Sequence, residues 1–328
     1  MQTLRNLQKN STVQVGKRRL LIQQRLGNGA FGVVYKARDK ASSRTYALKD
    51  ILCLNKSAAR NAIREVETMN LISHQNVIKV LGADTFTDAQ GFHVFILTEY
   101  CAGGTLNERL TWQSSDELNL RWIRQTAAAL SYLHSHQVVH RDLKADNVLL
   151  TATKDAKLAD FGLAREYIAL KRTERQTDYD SWMTTYTRYY MTSGDGPVHW
   201  VAPEFFTGHY AEKADVFSLG TLFYAILERD HITIGGRKYY GAFKSIPGIG
   251  KVGLGYAMAY HDPNTRIQFS LHARGSNVLQ RIAIDAMQYH KDDRPSAMDI
   301  HGRVTSAGNI TLLASPASAV STSTGTCC

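Results

Sequence analysis

"HRDLKADNVLL", residues 140–150, packs polar side chains of three kinds into eight positions and then runs straight into an apolar segment. Asp142 is a carboxylate, Lys144 a cation and Asn147 an amide. Val148, Leu149 and Leu150 follow as an apolar run. Eighteen residues beyond Asp142, "DFGLA" supplies a second carboxylate, Asp160, with Phe161 and Gly162. Two acids, an amide and a lysine gather in this part of the chain.

Toward the N-terminus, "GNGAFGVVY" sets Gly27, Asn28, Gly29, Ala30, Phe31, Gly32 and Val34 in a G-x-G-x-x-G-x-V spacing. Glycines so spaced let backbone amides approach phosphate oxygens with no side chain between. In dinucleotide folds the next element after such a loop is a helix. Here "VVYKA" continues as a strand, which predicts a hairpin lid over a nucleotide. "YALK" ends in Lys49 on the following strand, facing the glycine loop. A charged lysine there needs an acidic partner. Of the two acids in "AIREVETM", Glu65 shares a helix face with Ala62, Met69 and Ile72, so it faces inward, whereas Glu67 faces water.

The strand-like runs "RLLIQQRL", "FGVVYKA", "RTYALKDI" and "HVFILTEY" fill residues 16–98, interrupted by one helix at about 57–72. Helices dominate from Asn107, and "EYCAGGT" (99–105) reads as a hinge. "SSDELNLRWIRQTAAALSYLHSH" carries Ser114 and Glu117 at capping-box spacing, with Ile123, Ala127, Leu130 and His134 at helical intervals. The expectation is an α+β chain of two lobes over 16–304, a flexible start over 1–15 and a disordered tail over 305–328. A chain of 328 residues is long enough for both lobes to bury a core.

Phosphoryl transfer needs a carboxylate near the attacking hydroxyl, oxygen ligands for Mg2+ and positive charge near the phosphates. Asp142 supplies the first, Asn147 and Asp160 the second, and Lys49 with Lys144 the third. Taken in order with "VAPE" (201–204), "ADVFSLG" (214–220) and "DDRPSA" (292–297), the chain over about 20–304 resembles the eukaryotic protein kinases. The resemblance implies a bilobal fold, with a small antiparallel β lobe plus one helix and a large helical lobe. It implies ATP and Mg2+ as cofactors and proteins as substrates.

By the same resemblance Asp142 takes the hydroxyl proton, Lys144 steadies the phosphoryl group, and Lys49 pairs with Glu65 in the active state. Glu99 and Cys101 offer backbone hydrogen bonds to adenine, Thr98 stands beside it as gatekeeper, and Val34, Ala47 and Leu149 sandwich the ring. His140, Met69 and Phe161 belong to a stack linking the lobes, so His140 is a packed side chain rather than a base. Asp215 requires donors from the catalytic-loop backbone, and Glu204 pairs with Arg294.

The segment from Asp160 to Glu204 carries Thr184, Thr185, Thr187 and Thr192, any of which, once phosphorylated, can pair with Arg141. Its end, "GPVHW" (196–200), resembles the tyrosine-kinase form, because Pro197 stands where serine/threonine kinases carry threonine. Lys144 follows the serine/threonine pattern. The expected acceptor is serine or threonine, with tyrosine or dual specificity, or a pseudokinase scaffold, as alternatives.

Residues 208–243, with "ER" followed by a glycine-rich β-like insert, resemble the Clik-like serine/threonine kinases. That likeness implies a PDZ-LIM cytoskeletal partner and a nuclear or cytoplasmic location. Four cysteines without metal spacing fit a reducing, intracellular compartment, and Cys327 and Cys328 do not form a prenylation box. The net charge of +10 suits an anionic ligand; no specific nucleic-acid motif and no apolar run long enough to span a membrane occurs.

Overall fold

In the computed structural model the described residues are 7–29, 32–53, 59, 63, 66, 71–88, 91–160, 165–166, 199–207 and 211–313. Strands β1 (Thr12–Val15), β2 (Arg18–Gly29), β3 (Gly32–Asp39), β4 (Thr45–Cys53), β5 (Val80–Asp88) and β6 (Gly91–Glu99) form one antiparallel sheet, ordered β1-β2-β3-β4-β6-β5. Alternation of side chains decides its two faces. Tyr35, Leu48 and Leu97 lie in one cross-strand row and are buried with Leu20, Ile22, Val33 and Phe95 in a core of their own. The opposite face carries the rows Val34–Lys49–Ile96 and Lys36–Ala47–Thr98. Ala59, Ile63 and Val66, between β4 and β5, are helical; they join Val94 and Ile96 in the larger buried cluster, which continues into the second lobe.

Two strands were not foreseen. β1 falls within the stretch expected to fray, but it pairs with β2 from Thr12–Leu21 to Val15–Arg18. Leu7 is buried beside it, and its N–H donates to the Tyr35 hydroxyl at 3.1 Å. Leu7 and Val15 close the outer core, and that burial orders the segment. β5, "VLGADTFTD", holds a glycine, two aspartates and little apolar periodicity, because it is an edge strand with a half-exposed face.

After the hinge come helices α1 (Leu106–Arg109) and α2 (Asp116–Ser135), then β7 (Val138–Val139), β8 (Val148–Leu150), β9 (Ala156–Leu158) and β10 (Arg165–Glu166). The hinge is drawn onto β8: Gly103 N–H donates to Leu150 O at 2.8 Å and Leu150 N–H to Gly104 O at 2.9 Å. A Cβ on Gly103 would lie 2.6 Å from Thr151 O, so only glycine allows this approach. The helical cap of α2 is Ser115, not Ser114: the Ser115 hydroxyl accepts from Leu118 N–H at 3.3 Å. Ser114 is buried one residue earlier and spends its hydroxyl on Asn119 at 2.7 Å. A complete capping box exists instead at Thr105–Glu108, at the start of α1.

Helix α3 (Glu212–Glu228) is buried along its whole middle, from Ala214 to Leu227, which makes it the central helix of the second lobe. Two hairpins follow, β11 (His231–Ile234) with β12 (Arg237–Tyr240) and β13 (Phe243–Ile246) with β14 (Gly250–Gly253). Helices α4 (Leu254–Tyr260), α5 (Asn277–Ala286) and α6 (Ala297–Leu313) complete the chain. The last runs past residue 304, where a disordered tail was expected. Ala307 is buried, and Gly308 lies against Arg124 and Leu120 of α2. The small residues of "TSAG" permit close helix packing, which composition alone reads as disorder. The observed architecture is a six-stranded antiparallel lobe joined to a helical lobe, the α+β bilobal arrangement expected.

Candidate active site

The site is assembled on two turns of the second lobe and one strand of the first. β8 and β9 pair as a hairpin, Val148 opposite Leu158, so the residues just before β8 and just after β9 come together. Ala159 N–H donates to Asn147 O at 2.8 Å, which places Asp160 beside the 3-10 turn Ala145–Asn147. His140 Nε2 donates to Ala159 O at 3.0 Å, while its Nδ1 accepts from Asp142 N–H at 3.3 Å. Both ring nitrogens are thereby used, and the ring is fully buried. His140 is a strut between the two turns.

Asp142 is held by two side chains. Lys144 Nζ donates to its two carboxylate oxygens at 3.0 and 2.8 Å. Asn147 Nδ2 donates to its backbone oxygen at 2.7 Å and to Oδ2 at 2.8 Å. The amide orientation of Asn147 is therefore set, and its Oδ1 is turned away from Asp142. Asp160 forms an ion pair with Lys49 across the cleft between the lobes. Burial pushes the Asp160 carboxyl upward, but the charge and hydrogen bond of Lys49 outweigh it and hold the group below the usual carboxylate range.

The backbone is strained where the site needs it. Arg141 and Asp160 both adopt φ near the left-handed region, 68° and 66°, a conformation that costs of order 1–3 kcal/mol for a non-glycine residue. Asp215 from α3 offsets the first: its carboxylate accepts from His140 N–H at 2.7 Å, Arg141 N–H at 2.8 Å and His134 Nε2 at 2.9 Å. Burial pushes its carboxyl up, yet these donors win and lower it. The donors foreseen for Asp215 are those of the catalytic-loop backbone; His134 is an additional one, visible beforehand only as a polar residue on the inner face of α2.

On the sheet side, Lys49 stands opposite Val34, and Ala47 opposite Thr98. All four are half-buried, unlike the sealed opposite face, so they border the cleft. Leu149 faces it from β8 and packs against the larger core. In the glycine-rich hairpin Gly27 pairs with Val34, Asn28 with Val33 and Gly29 with Gly32. A Cβ on Gly32 would lie 2.2 Å from Asp50 O, which excludes any other residue. Among the described residues, no atom beyond its chain neighbours lies within 4 Å of a Cβ built on Gly27. Ala30, Phe31, Glu65, Met69, Phe161, Pro197 and the four candidate threonines lie outside the described residues.

Sequence reasoning did not single out Lys157. Its Nζ pairs with Glu99 at 2.9 Å, and the same carboxylate accepts from Lys79 N–H at 2.8 Å. The Glu99 side chain thus ties the hinge to β5 and to β9, the strand that delivers Asp160. Cys101, two residues on, is buried, and burial followed by the Glu99 charge pushes its thiol up to about 11. It is an unreactive thiol.

The oxygen donors available, the amide of Asn147 and the carboxylate of Asp160, suit a hard cation that keeps water and phosphate ligands, as Mg2+ does. Among the described residues no cluster of three or more His, Cys, Asp or Glu side chains forms an all-protein metal cage. Mg2+ sites typically lack one too.

The protein kinase domain model matches residues 20–303. The chain is 32% identical over 236 residues to LIM domain kinase 1 of Drosophila melanogaster, which covers 64% of this chain and 18% of the relative. It is 35% identical over 200 residues to Serine/threonine-protein kinase 1 of Arabidopsis thaliana, covering 60% of this chain and 21% of the relative. The chain spans about a fifth of the length of these relatives. With a sheet lysine reaching the acid after β9, and the matched region running from the first long strand to the last helix, the chain belongs to the protein kinase domain family.

Proposed function

We propose that this chain is an ATP- and Mg2+-dependent kinase that transfers the γ-phosphoryl group to serine and threonine hydroxyls of proteins. The observation that carries the reading is the joined network of Asp142, Lys144 and Asn147 facing the Lys49–Asp160 pair. Asp142, fixed by two donors, orients the acceptor hydroxyl and takes its proton. Lys144 pairs with that carboxylate and adds positive charge where the phosphoryl group passes. Lys49 faces the glycine hairpin and attracts the nucleotide phosphates. Asn147 Oδ1 and Asp160 would hold Mg2+, which supplies charge neutralisation at the phosphates. Val34, Ala47, Thr98 and Leu149 border the adenine pocket, with the main chain of Glu99 and Cys101 at its rim.

Lys144 and the relative named as a serine/threonine-protein kinase support serine and threonine as acceptors. Pro197 in "GPVHW" supports the second reading, tyrosine or dual specificity. The "ER" and hairpin insert of residues 208–243 support a place near the Clik-like kinases, with a PDZ-LIM partner and a nuclear or cytoplasmic location. Arg229 of that stretch closes α3 and donates to Leu110 O at 2.8 Å, so the insert is built into the lobe.

The test is Mg2+-dependent ATP turnover and protein phosphorylation by wild type and Asp160→Asn. A drop of about 10²-fold or more is expected; equal rates would mean the activity belongs elsewhere. Phosphoamino-acid analysis of the product separates the acceptor readings, and phosphotyrosine alone would overturn serine/threonine.

A further inference from the structure

Asp146 sits inside the catalytic loop, between Lys144 and Asn147, yet it takes no part in the network around Asp142. Its carboxylate is met instead by Arg237, from 91 residues further on. Arg237 is the first residue of β12, directly after a two-residue turn in which Gly235 and Gly236 have φ of 56° and 80°. Two positive φ values make the primed turn that matches strand twist, so the hairpin is a stiff ribbon. The ribbon is also anchored. Buried Asn107 donates Nδ2–H to Lys238 O at 2.9 Å and accepts from Tyr240 N–H at 3.1 Å. Gly241 N–H donates to Asp230 O at 3.0 Å and closes the base. Lys251 of the second hairpin pairs with Asp230.

Arg237 is therefore delivered to Asp146 by a built element. Half of its side chain is exposed, against a fifth of that of Asp146. Its guanidinium lies 5.2 Å from the Tyr239 ring centre. Burial pushes the Asp146 carboxyl up while Arg237 and then Lys144 pull it down, and Asp142 is near enough to act against it. Asp146 follows Asp142 by four residues on the same loop, in the 3-10 turn, so a side chain flanking a hydroxyl held at Asp142 can reach it.

We propose that the β11–β12 hairpin is part of the surface that receives the acceptor polypeptide. Arg237 is its specificity-determining residue: it occupies Asp146 and so disfavours acceptors with a basic side chain at the adjoining position. The inference rests on the protein-kinase reading. Where the acceptor carries Lys or Arg, that residue meets a guanidinium instead of a free carboxylate; where it carries Glu or a neutral residue, nothing is lost.

The test uses the full chain and matched acceptor peptides that differ only by Glu, Ala or Arg at each position flanking the hydroxyl residue. In Arg237→Ala, kcat/KM for an Arg peptide relative to its Ala counterpart is expected to rise about fivefold at one position, through KM. The gain should vanish in Arg237→Ala/Asp146→Asn, and Arg237→Lys should keep the wild-type preference. Unchanged relative preferences in Arg237→Ala, or an equal loss on all peptides, would overturn the proposal. If no peptide is phosphorylated by any variant, the kinase reading has failed. Fluorescence anisotropy of the same peptides then decides the inference: a tighter Arg peptide on Arg237→Ala supports it, and equal affinity sinks it.

Discussion

Arg294 has all five of its N–H donors engaged and none of its side chain exposed. Nη1 and Nη2 form a fork with the Glu204 carboxylate at 2.6 and 2.8 Å. Nε reaches Gln288 O at 2.7 Å, Nη1 also Lys213 O at 2.9 Å, and Nη2 also Tyr289 O at 2.9 Å. The guanidinium lies 5.0 Å from the Phe217 ring centre. Truncation takes the fork away from a largely buried carboxylate and one donor from each of three backbone carbonyls. Arg294→Ala should therefore lower stability by about 3–5 kcal/mol, read as a shifted denaturant midpoint. A stability equal to wild type would show that the pair is dispensable. The Glu204–Arg294 pair could be named in advance because each residue lies in a recognisable short pattern. The carbonyls around Arg294 could not, since backbone acceptors have no residue-type signature.

At the level of elements, the stretch ending the segment before Pro203 packs on the first strand of the second hairpin. His199 and Phe243 rings lie 5.3 Å apart, and Ser218 of α3 donates to Trp200 O at 2.9 Å. Burial pushes the His199 imidazole down from 6.5 to about 4. The folded state thus refuses a proton that the unfolded chain accepts below its ordinary value. The stabilisation is complete above pH 6.5 and is lost as pH falls toward 4. Between pH 7 and 5 the wild type should lose about 2 kcal/mol more than His199→Phe, measured by denaturant unfolding at both values. Equal losses would mean that His199 titrates normally. The hairpin insert was legible as β-rich from its glycines and β-branched residues. Its register and its seat on Asn107 were not, because a polar residue on a four-residue helix looks like solvent-facing surface.

For the whole molecule, one buried cluster is confined to the outer face of the sheet, while the larger one runs from Val94 and Ile96 of the first lobe into the second; the hinge on β8, the pairing of Val77 with Leu158 and the Lys49–Asp160 ion pair add further joins. A ligand seated between the lobes adds contacts to both. Mg2+ and a non-hydrolysable ATP analogue at about 100 times the dissociation constant should stabilise the fold by about 2.7 kcal/mol. Thermal unfolding of wild type and Lys49→Met with and without the nucleotide checks this; an equal shift in both would place the nucleotide away from Lys49.

Local chemistry determined much of this protein from its sequence alone. The apolar alternation of β2, β3, β4 and β6, the spacing of Gly27, Gly29 and Gly32, and the order of Asp142, Lys144, Asn147 and Asp160 are all written within short windows. The two-lobed α+β fold and the residues of the candidate site follow from them. Only the tertiary structure decided which groups meet across long separations. It put Asp160 on Lys49, Lys157 on Glu99, His134 on Asp215 and Arg237 on Asp146. It also ordered β1 and the end of α6, which composition reads as loose. The reason is the same in each case: charge partners and small-residue packing depend on the approach of distant surfaces, and no periodicity along the chain records that distance.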